Sequence, residues 1–340
     1  MKRITLLGID LAKEVFELNG VDGLGNTLLK RTLKRSELAI FMANLPACRV
    51  VMEACGGSHY WARKFSAQGH DVQLIAAQFV KPFKTTSQKN DRVDAQAIVE
   101  AGSRPSMRYI GIKNLFQQDL QSLHRIRQQL INNRTQISNQ IRGLFAEYGV
   151  VMDEGVSKFR SQFPIAIEED SELTSTLREV GRSLFELFCK FEDEQKKIEA
   201  KIKSLVREND DYKRLIEVPG VGPWGASLFL ASAGNVGAFK NGRQLAAWAG
   251  LVPKQHSSGG HERLGGITKA GDAPLRVMLI HGARSAVLAA IRKQKTDPLS
   301  QWILKLHSKK GFNKTAVAVA NKNVRIMWHL LKHQEAYKTA

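Results

Sequence analysis

The chain has 340 residues, of which 51 are Lys or Arg and 32 are Asp or Glu, so its formal charge is +19. This length predicts two to three domains, and this charge favours a polyanionic partner, nucleic acid first, over a small neutral substrate. There is no uninterrupted run of about 18 apolar residues, no signal peptide, and neither a zinc spacing nor a disulfide framework among the three cysteines, so we expect a cytoplasmic protein outside the membrane.

Residues 1–110 are predicted to form an α/β domain. Apolar segments separated by turn residues predict strands over 4–9, 15–21, 27–33, 49–52 and 72–76. A short helix ending near Pro46 and a second helix over 58–68 lie between the later strands. Hairpins followed by alternating strands and helices indicate a mixed sheet with helices packed on it.

Residues 111–211 are predicted to be helical. Apolar residues recur at three- and four-residue steps between Leu115 and Phe145, and a second apolar row recurs every seven residues from Leu177 to Leu205. The two segments predict an antiparallel coiled-coil hairpin. Packing within one chain and pairing of two subunits are both open.

Residues 212–340 are predicted to form a compact basic domain that is mainly helical. Residues 235–340 contain 18 basic and 4 acidic side chains. We therefore expect the surface that faces phosphate to lie in this part of the chain, including the lysines that follow Lys305. The tryptophans of this domain are expected to pack in helical cores, with base stacking as the alternative; they are Trp224, Trp248, Trp302 and Trp328.

Four acidic residues, hereafter the four carboxylates, have a pattern typical of a metal site. Asp10 and Glu53 each end a predicted strand, where a buried charge needs a partner, a proton or a metal. Asp91 and Asp94 lie three residues apart at the start of a predicted helix, which puts both on one face. Asp91 and Asp94 alone could be helix-capping residues. Together, the four oxygen ligands suit two Mg²⁺ or Mn²⁺ ions about 3.5 to 4 Å apart.

A glycine-containing turn follows in the basic domain. The segment 216–222, followed by a helix over 226–233, has the form of a helix-hairpin-helix. Gly220 and Gly222 would let backbone N–H groups approach a phosphate without sequence preference. A tight turn between packed helices explains the same residues, and both interpretations stay open.

Residues 249–271 form a polar, glycine-rich and cationic segment. Lys254, Arg263 and Lys269 are candidate nucleic-acid contacts, and the segment also contains two serines followed by two glycines. A serine hydroxyl becomes a useful nucleophile only beside a base, a metal or a neighbouring charge, and basic side chains are present here. A flexible surface loop is the alternative.

Three stretches resemble the DEDD transposases of bacterial insertion sequences, of the IS110 and IS1111 group. They are GIDLAKEVF at 8–16, VVMEACGGSHYWA at 50–62 and KNDRVDAQAI at 89–98, and the resemblance covers nearly the whole chain. In that family the first domain is similar to the Holliday-junction resolvase RuvC, so the resemblance implies an RNase-H-like fold. It also implies that the four carboxylates bind the Mg²⁺ or Mn²⁺ ions.

The same resemblance implies a second catalytic group in the basic domain. In these transposases a serine within a Ser-Gly pair attacks DNA and becomes joined to it; Ser258 matches best, and Ser257 is the alternative one residue away. The family further implies that a structured guide RNA selects both DNAs. A homo-oligomer, dimer or tetramer, would bring one subunit's serine domain to another's metal domain.

Two other functions are compatible with the residues. A RuvC-like endonuclease would use the same carboxylates to hydrolyse junction DNA with water, and would leave no protein on the DNA. A non-catalytic nucleic-acid scaffold would bind equally well without Mg²⁺. The transposase interpretation instead predicts a protein–DNA adduct that requires both Asp10 and Ser258.

Overall fold

The computed structural model describes residues 3–84, 91–170, 172–233, 235–257, 261–293 and 296–338, without the side chains of Asp91 and Arg92. The chain divides into two compact units. The first comprises Met1–Phe116 with Ala233–Leu245, and the second comprises Gln117–Ser232 with Ala246–Ala340. The N-terminal part is a mixed α/β structure and the remainder is mainly helical, as the sequence predicted.

The first unit is built on a six-stranded sheet. Its strands are β1 (Leu6–Leu11), β2 (Val15–Val21), β3 (Thr27–Lys34), β4 (Arg49–Glu53), β5 (Asp71–Ile75) and β6 (Tyr109–Ile110). Their order is β3-β2-β1-β4-β5-β6; β1, β4 and β5 run parallel, and the remaining neighbours are antiparallel. The first five confirm the predicted strands. The two-residue β6 was not predicted, because such a short strand has no periodicity of its own.

Helices cover both faces of this sheet. They are α1 (Arg35–Asn44), α2 (Ser58–Ala67), α3 (Ala77–Val80) and α4 (Asp91–Gly102). Successive side chains of a strand point to opposite faces. Leu7 and Ile9 of β1 therefore pack in the core with α1 and α2, whereas Leu6 packs in the core with α3 and α4. Val51 of β4 also belongs to the α4 face.

The chain beyond the sheet contains nine α-helices, a 3-10 turn over Val236–Ala238 and a small hairpin among its described residues. The helices are α5 (Leu115–Ala146), α6 (Val156–Glu169), α7 (Ser175–Val206), α8 (Asp210–Ile216), α9 (Pro223–Ala233), α10 (Gly242–Trp248), α11 (Ala273–Lys293), α12 (Pro298–Lys310) and α13 (Phe312–His333). The hairpin pairs β7 (Pro253–Gln255) with β8 (Leu264–Ile267). The segment predicted as a loop is therefore partly a β-hairpin.

The long helices α5 and α7 run antiparallel. Phe145, at the end of α5, lies against Gly181 near the start of α7, where an added Cβ would come within 2.8 Å of its ring. Arg127, earlier in α5, bonds Glu199 late in α7 at 2.7 Å. The two contacts agree with a single antiparallel alignment of the helices. Arg127 and Phe145 are separated by the same number of residues in α5 as Gly181 and Glu199 are in α7.

A third helix, α6, packs against this pair and was missed by the sequence analysis. It contributes Phe159, Phe163 and Ile167 to a phenylalanine-rich core. The fully buried row of α7 includes Gly181 and Phe188, four residues on from the predicted row at Leu177 and Leu184, which is only partly buried. Because this buried row contains a glycine, a search for apolar residues at regular spacing does not detect the row.

One helix among the described residues, α11, is long and apolar enough to span a membrane by length and composition alone, at 21 residues. Arg276 and Arg284 interrupt its sequence, so a search for uninterrupted apolar runs does not find it. In the second unit α11 packs against α12 and α13. Arg276 is buried and donates to the Ala270 carbonyl at 2.8 Å.

Candidate functional site

Two of the four carboxylates lie side by side at one edge of the sheet. Strands β1 and β4 are parallel neighbours, and the last pair in their register is Ile9 with Met52. The next residues are Asp10 and Glu53, so their backbones are about one strand spacing, ~4.8 Å, apart. Asp10 shares the face of Leu6, and Glu53 shares the face of Val51. Both carboxylates therefore belong to the face covered by α4.

A glycine in β1 brings α4 close to these acids. Gly8 shares the face of Asp10, and a Cβ added there would lie 2.8 Å from the Ala95 carbonyl oxygen and 2.6 Å from Val99 Cγ2. The helix backbone thus lies directly on the strand. Asp94 immediately precedes Ala95, so this packing sets the first turn of α4, with Asp94, beside the end of β1.

A lysine completes the cluster. Lys84 Nζ bonds Asp94 Oδ1 at 2.8 Å, and the two side chains are 33% and 20% exposed. This hydrogen bond raises the pKa of Lys84, partial burial opposes the increase, and the charges of Asp94, Glu53 and Asp10 add to it. The ammonium therefore lies in the combined field of three of the four carboxylates.

The negative charges of the same carboxylates also act on the thiol of Cys55. Partial desolvation of the thiol raises the pKa of Cys55, although the residue as a whole is exposed, and the charges of Glu53 and Asp10 raise it further. Cys55 follows β4 and is exposed. The sequence predicts no role for Cys55, but the structure makes it a neighbour of Asp10 and Glu53, which together with Asp94 are hereafter the acid edge.

The donor set of the acid edge suits a hard cation. Carboxylate oxygens are the ligands that Mg²⁺ and Mn²⁺ prefer, and Lys84 shows that the site attracts positive charge. Among the described residues, no group of three or more His, Cys, Asp and Glu side chains is arranged to hold a metal ion as it stands. Asp91 begins α4, but its side chain is outside the described part of the structure.

The hairpin β7–β8 carries the predicted serine segment. Ser257 is exposed and accepts a hydrogen bond from Gln255 Nε2 at 3.0 Å. Lys254 and Arg263 are exposed on the two sides of the hairpin. The predicted nucleophile Ser258 lies outside the described residues.

Buried backbone contacts hold the base of this hairpin. Gly250, with φ of +71°, packs its backbone directly on Ala270, and Gly271, with φ of +72°, packs on the Trp248 carbonyl. Neither position has room for a Cβ. Lys269 lies between them in sequence, is exposed, and has a left-handed φ of +56°. The residues just before β7 and just after β8 are therefore packed tightly against each other.

The predicted helix-hairpin-helix segment joins α8 to α9. Gly220, with φ of +83°, packs against α11, where an added Cβ would lie 2.7 Å from the Gly282 carbonyl oxygen. At Gly222 an added Cβ would meet no atom within 4 Å. Gly220 is therefore explained by helix packing, whereas Gly222 leaves its backbone open to approach.

Lys84 is the functional candidate that the sequence analysis missed. It follows a 3-10 turn over Lys81–Phe83, and Phe83 packs in the core under α4. A lysine ten residues before Asp94 gives no local signal of an ion pair. Only the fold of the segment before α4 brings the two together.

Comparison with known proteins shows the family of this chain. A DEDD transposase model of the IS110 type matches residues 7–150, and a model described as "Transposase IS116/IS110/IS902 family" matches residues 212–297. A probable family 20 transposase of Pseudomonas aeruginosa is 44% identical over 98% of this chain and 99% of its own length. The chain belongs to the IS110 family of transposases.

Other members of the family have similar coverage. The transposase for insertion sequence element IS1111A of Coxiella burnetii is 43% identical over 99% of this chain and 92% of its own length. The transposase for insertion sequence element IS1328 of Yersinia enterocolitica is 36% identical over 96% of this chain and 97% of its own. The protein is accordingly a DNA transposase, an enzyme whose partner is DNA.

Proposed function

We propose that this transposase cuts and rejoins the DNA of its insertion sequence with two cooperating centres. The first is a Mg²⁺ or Mn²⁺ site held by the four carboxylates on an RNase-H-like domain, and the second is the hydroxyl of Ser258, which lies in the sequence between β7 and β8. The reaction takes place in the cytoplasm.

The convergence of the acid edge supports the first centre. Asp10 and Glu53 lie near the ends of parallel neighbouring strands on one face, and the Gly8 contact brings the first turn of α4, which contains Asp94, near the same end of β1. Three carboxylates from distant parts of the chain, with Lys84 drawn in among them, exceed what helix capping or strand termination requires.

The metal would be held by Asp10, Glu53, Asp91 and Asp94. When bound, it would supply Lewis-acid polarisation of the scissile phosphate and stabilise charge on the attacking and leaving oxygens. Lys84 must release Asp94 for the carboxylate to ligate fully. Its ammonium would then be available to a phosphate oxygen of the DNA.

The serine step conserves the number of phosphodiester bonds. Ser258 Oγ attacks phosphorus and the bond between phosphorus and O3′ breaks, while the serine proton passes through a base to O3′, leaving a 3′ hydroxyl and a serine–5′-phosphate ester. A 3′ hydroxyl then attacks the same phosphorus, and serine leaves with a proton. No external energy source is needed, because one ester replaces another.

The basic residues of the hairpin would hold the DNA backbone. Lys254 and Arg263 are exposed near the serine segment, and Lys269 is exposed at its base. Gly222, in the open turn before α9, offers a backbone contact to a second phosphate. These contacts would position DNA without reading its sequence.

A structured guide RNA would select the two DNAs, which fits a protein with a formal charge of +19. We propose a working division into a catalytic domain over 1–110, a coiled-coil hairpin over 111–211 and the serine domain over 212–340. A dimer or tetramer would let the serine domain of one subunit act with the carboxylates of another.

Trapping a covalent intermediate tests the proposal. Purified transposase, its element's supercoiled ends and the transcript flanking the gene are combined with Mg²⁺, and radiolabelled DNA is followed on a denaturing protein gel. We expect an adduct with wild-type protein and with Ser257→Ala, and none with Ser258→Ala, Asp10→Asn or EDTA.

The alternatives give different results. Cleavage without an adduct that persists in Ser258→Ala would replace the transposase mechanism with hydrolysis by water. Loss of the adduct in Ser257→Ala but not in Ser258→Ala would move the nucleophile by one residue. Equal products with and without the transcript would refute guidance by RNA.

A further inference from the structure

The second unit contains a pocket between the hairpin β7–β8, α12 and α13. Its volume is about 480 Å³, within the range of sites that hold small organic ligands. Leu251, Pro253 and Ile267 line it from the hairpin side, and Val317 and Ala318 line it from α13. The pocket therefore has an apolar floor.

Three cations line the same pocket. Lys314, Lys322 and Arg325 all come from α13. Lys314 and Arg325 are about three helical turns apart, so they return to the same face, with Lys322 between them. None of the described residues that line the pocket is acidic. No carboxylate among these lining residues therefore offsets the positive charge inside the pocket.

An aromatic ring forms part of the wall. Trp302 of α12 is half-buried, and Lys322 Nζ lies 4.7 Å from its ring centroid. An inorganic anion would not need the indole or the apolar floor, and an apolar ligand would not need the cations. An aromatic platform beside several cations matches an unpaired nucleotide, whose base stacks while its phosphates pair with Lys and Arg.

The position of the pocket indicates which nucleic-acid strand the pocket would hold. Asn321 Nδ2 donates to the Leu251 carbonyl at 3.1 Å, which fastens the start of the serine hairpin to α13. The pocket and the hairpin therefore share α13 as a support, and Ser257 lies shortly after β7, with Ser258 next to it in the sequence.

We propose that this pocket binds one unpaired nucleotide of the DNA strand on which the serine acts. The base stacks on Trp302, and the flanking phosphates contact Lys314, Lys322 and Arg325. The choice of DNA rests on the proposed function; the nucleotide chemistry rests on the pocket itself. Holding a nucleotide here would keep the strand from re-annealing near the serine.

Base-dependent binding tests the pocket in the full-length protein. Fluorescence anisotropy compares a labelled oligothymidine with an oligomer of the same length built from abasic residues, which has equal charge. We expect wild-type protein to bind the oligothymidine about tenfold more tightly. Trp302→Leu should bind both oligomers alike, and Trp302→Phe should retain most of the difference.

Matched variants separate stacking from charge. Trp328 is also half-buried and on α13 but does not line the pocket, so Trp328→Leu should keep the tenfold difference. Lys314→Gln should weaken both oligomers equally and reduce the slope of log Kd against log salt by about 0.7. Equal loss of discrimination in Trp302→Leu and Trp328→Leu would overturn the proposal.

A measurement on the unaltered protein removes dependence on variant folding. An oligomer containing 5-iododeoxyuridine is crosslinked by light, and the modified peptide is identified by mass spectrometry. A crosslink at Trp302 supports the proposed nucleotide pocket. Crosslinks confined to other peptides would refute it. Tight binding of oligouridine without any binding of oligothymidine would also refute it. A Trp302 crosslink with serine-independent cleavage would keep the pocket but refute the proposed mechanism.

Discussion

Replacing Gly8 by alanine should damage the acid edge more than its distance from the reacting atoms suggests. The new Cβ would lie 2.8 Å from the Ala95 carbonyl oxygen and 3.1 Å from the Val99 nitrogen, both of which are backbone atoms of α4. Neither atom can rotate away. The helix must therefore shift from β1, and Asp94 must shift with it.

The required displacement can be taken from these contacts. The Ala95 oxygen must retreat by roughly 0.6 Å to reach the 3.4 Å of an ordinary contact. Overpacking of this kind costs about 1 to 3 kcal/mol in unfolding free energy. A misplacement of about 1 Å costs on the order of 100-fold in rate, so we expect strand cleavage to fall by about tenfold to 100-fold.

Gly102→Ala is the matched control at the other end of α4. Its Cβ would lie 2.8 Å from Val51 Cγ2, so the tight contact is with a side chain and far from Asp94 along the helix. Alanine also favours the helix by about 1 kcal/mol over glycine. This variant should keep its Mn²⁺ affinity within about twofold.

The assays are Mn²⁺ titration calorimetry, cleavage rate and urea unfolding for both variants. Gly8→Ala should bind Mn²⁺ at least about tenfold more weakly while still unfolding cooperatively. Wild-type Mn²⁺ affinity in folded Gly8→Ala protein would refute the claim that the Gly8 contact positions the carboxylates. Equal losses in both variants would attribute the effect to general instability of α4.

Further predictions concern charge. Lys84→Met removes the cation bonded to Asp94, so Mn²⁺ affinity by calorimetry should rise roughly fivefold, whereas unchanged affinity would show that Lys84 does not compete with the metal. Burial, together with the charge of Arg127, lowers the pKa of His124 to about 4. The unfolded chain then binds the proton first as pH falls from about 6.5 to 4, so up to about 3 kcal/mol of stability should be lost across that window. His124→Gln should abolish this part of the pH dependence in urea unfolding, and an identical slope in both proteins would contradict the assignment.

Local pattern was enough to predict the early strands and the long helices. Strand alternation and the turns around Gly20 and Gly25 predicted five of the sheet strands, because a half-buried strand needs an apolar residue at every second position. Asp10 and Glu53 were identified for the same reason, since each ends an apolar run. Family resemblance supplied the roles of Asp91, Asp94 and Ser258, which remain predictions.

Structural features that depend on contacts between residues far apart in the sequence could not be predicted from the sequence. The buried row of α7 contains Gly181 because the Phe145 ring occupies its side-chain space, and α6 is needed to cover the same core. Gly220 was equally compatible with phosphate contact and with packing, and the close approach of Gly282 explains it by packing.

The amino-acid sequence by itself determined the strands, the long helices, the basic C-terminal region and the acidic candidates, because each depends on neighbours within a few turns or residues. Tertiary structure alone decided that Lys84 meets Asp94, that Gly8 brings α4 onto β1, and that Trp302 joins α13 in one pocket. These are contacts between separate elements, and their energies arise only once the core has set the distances between them.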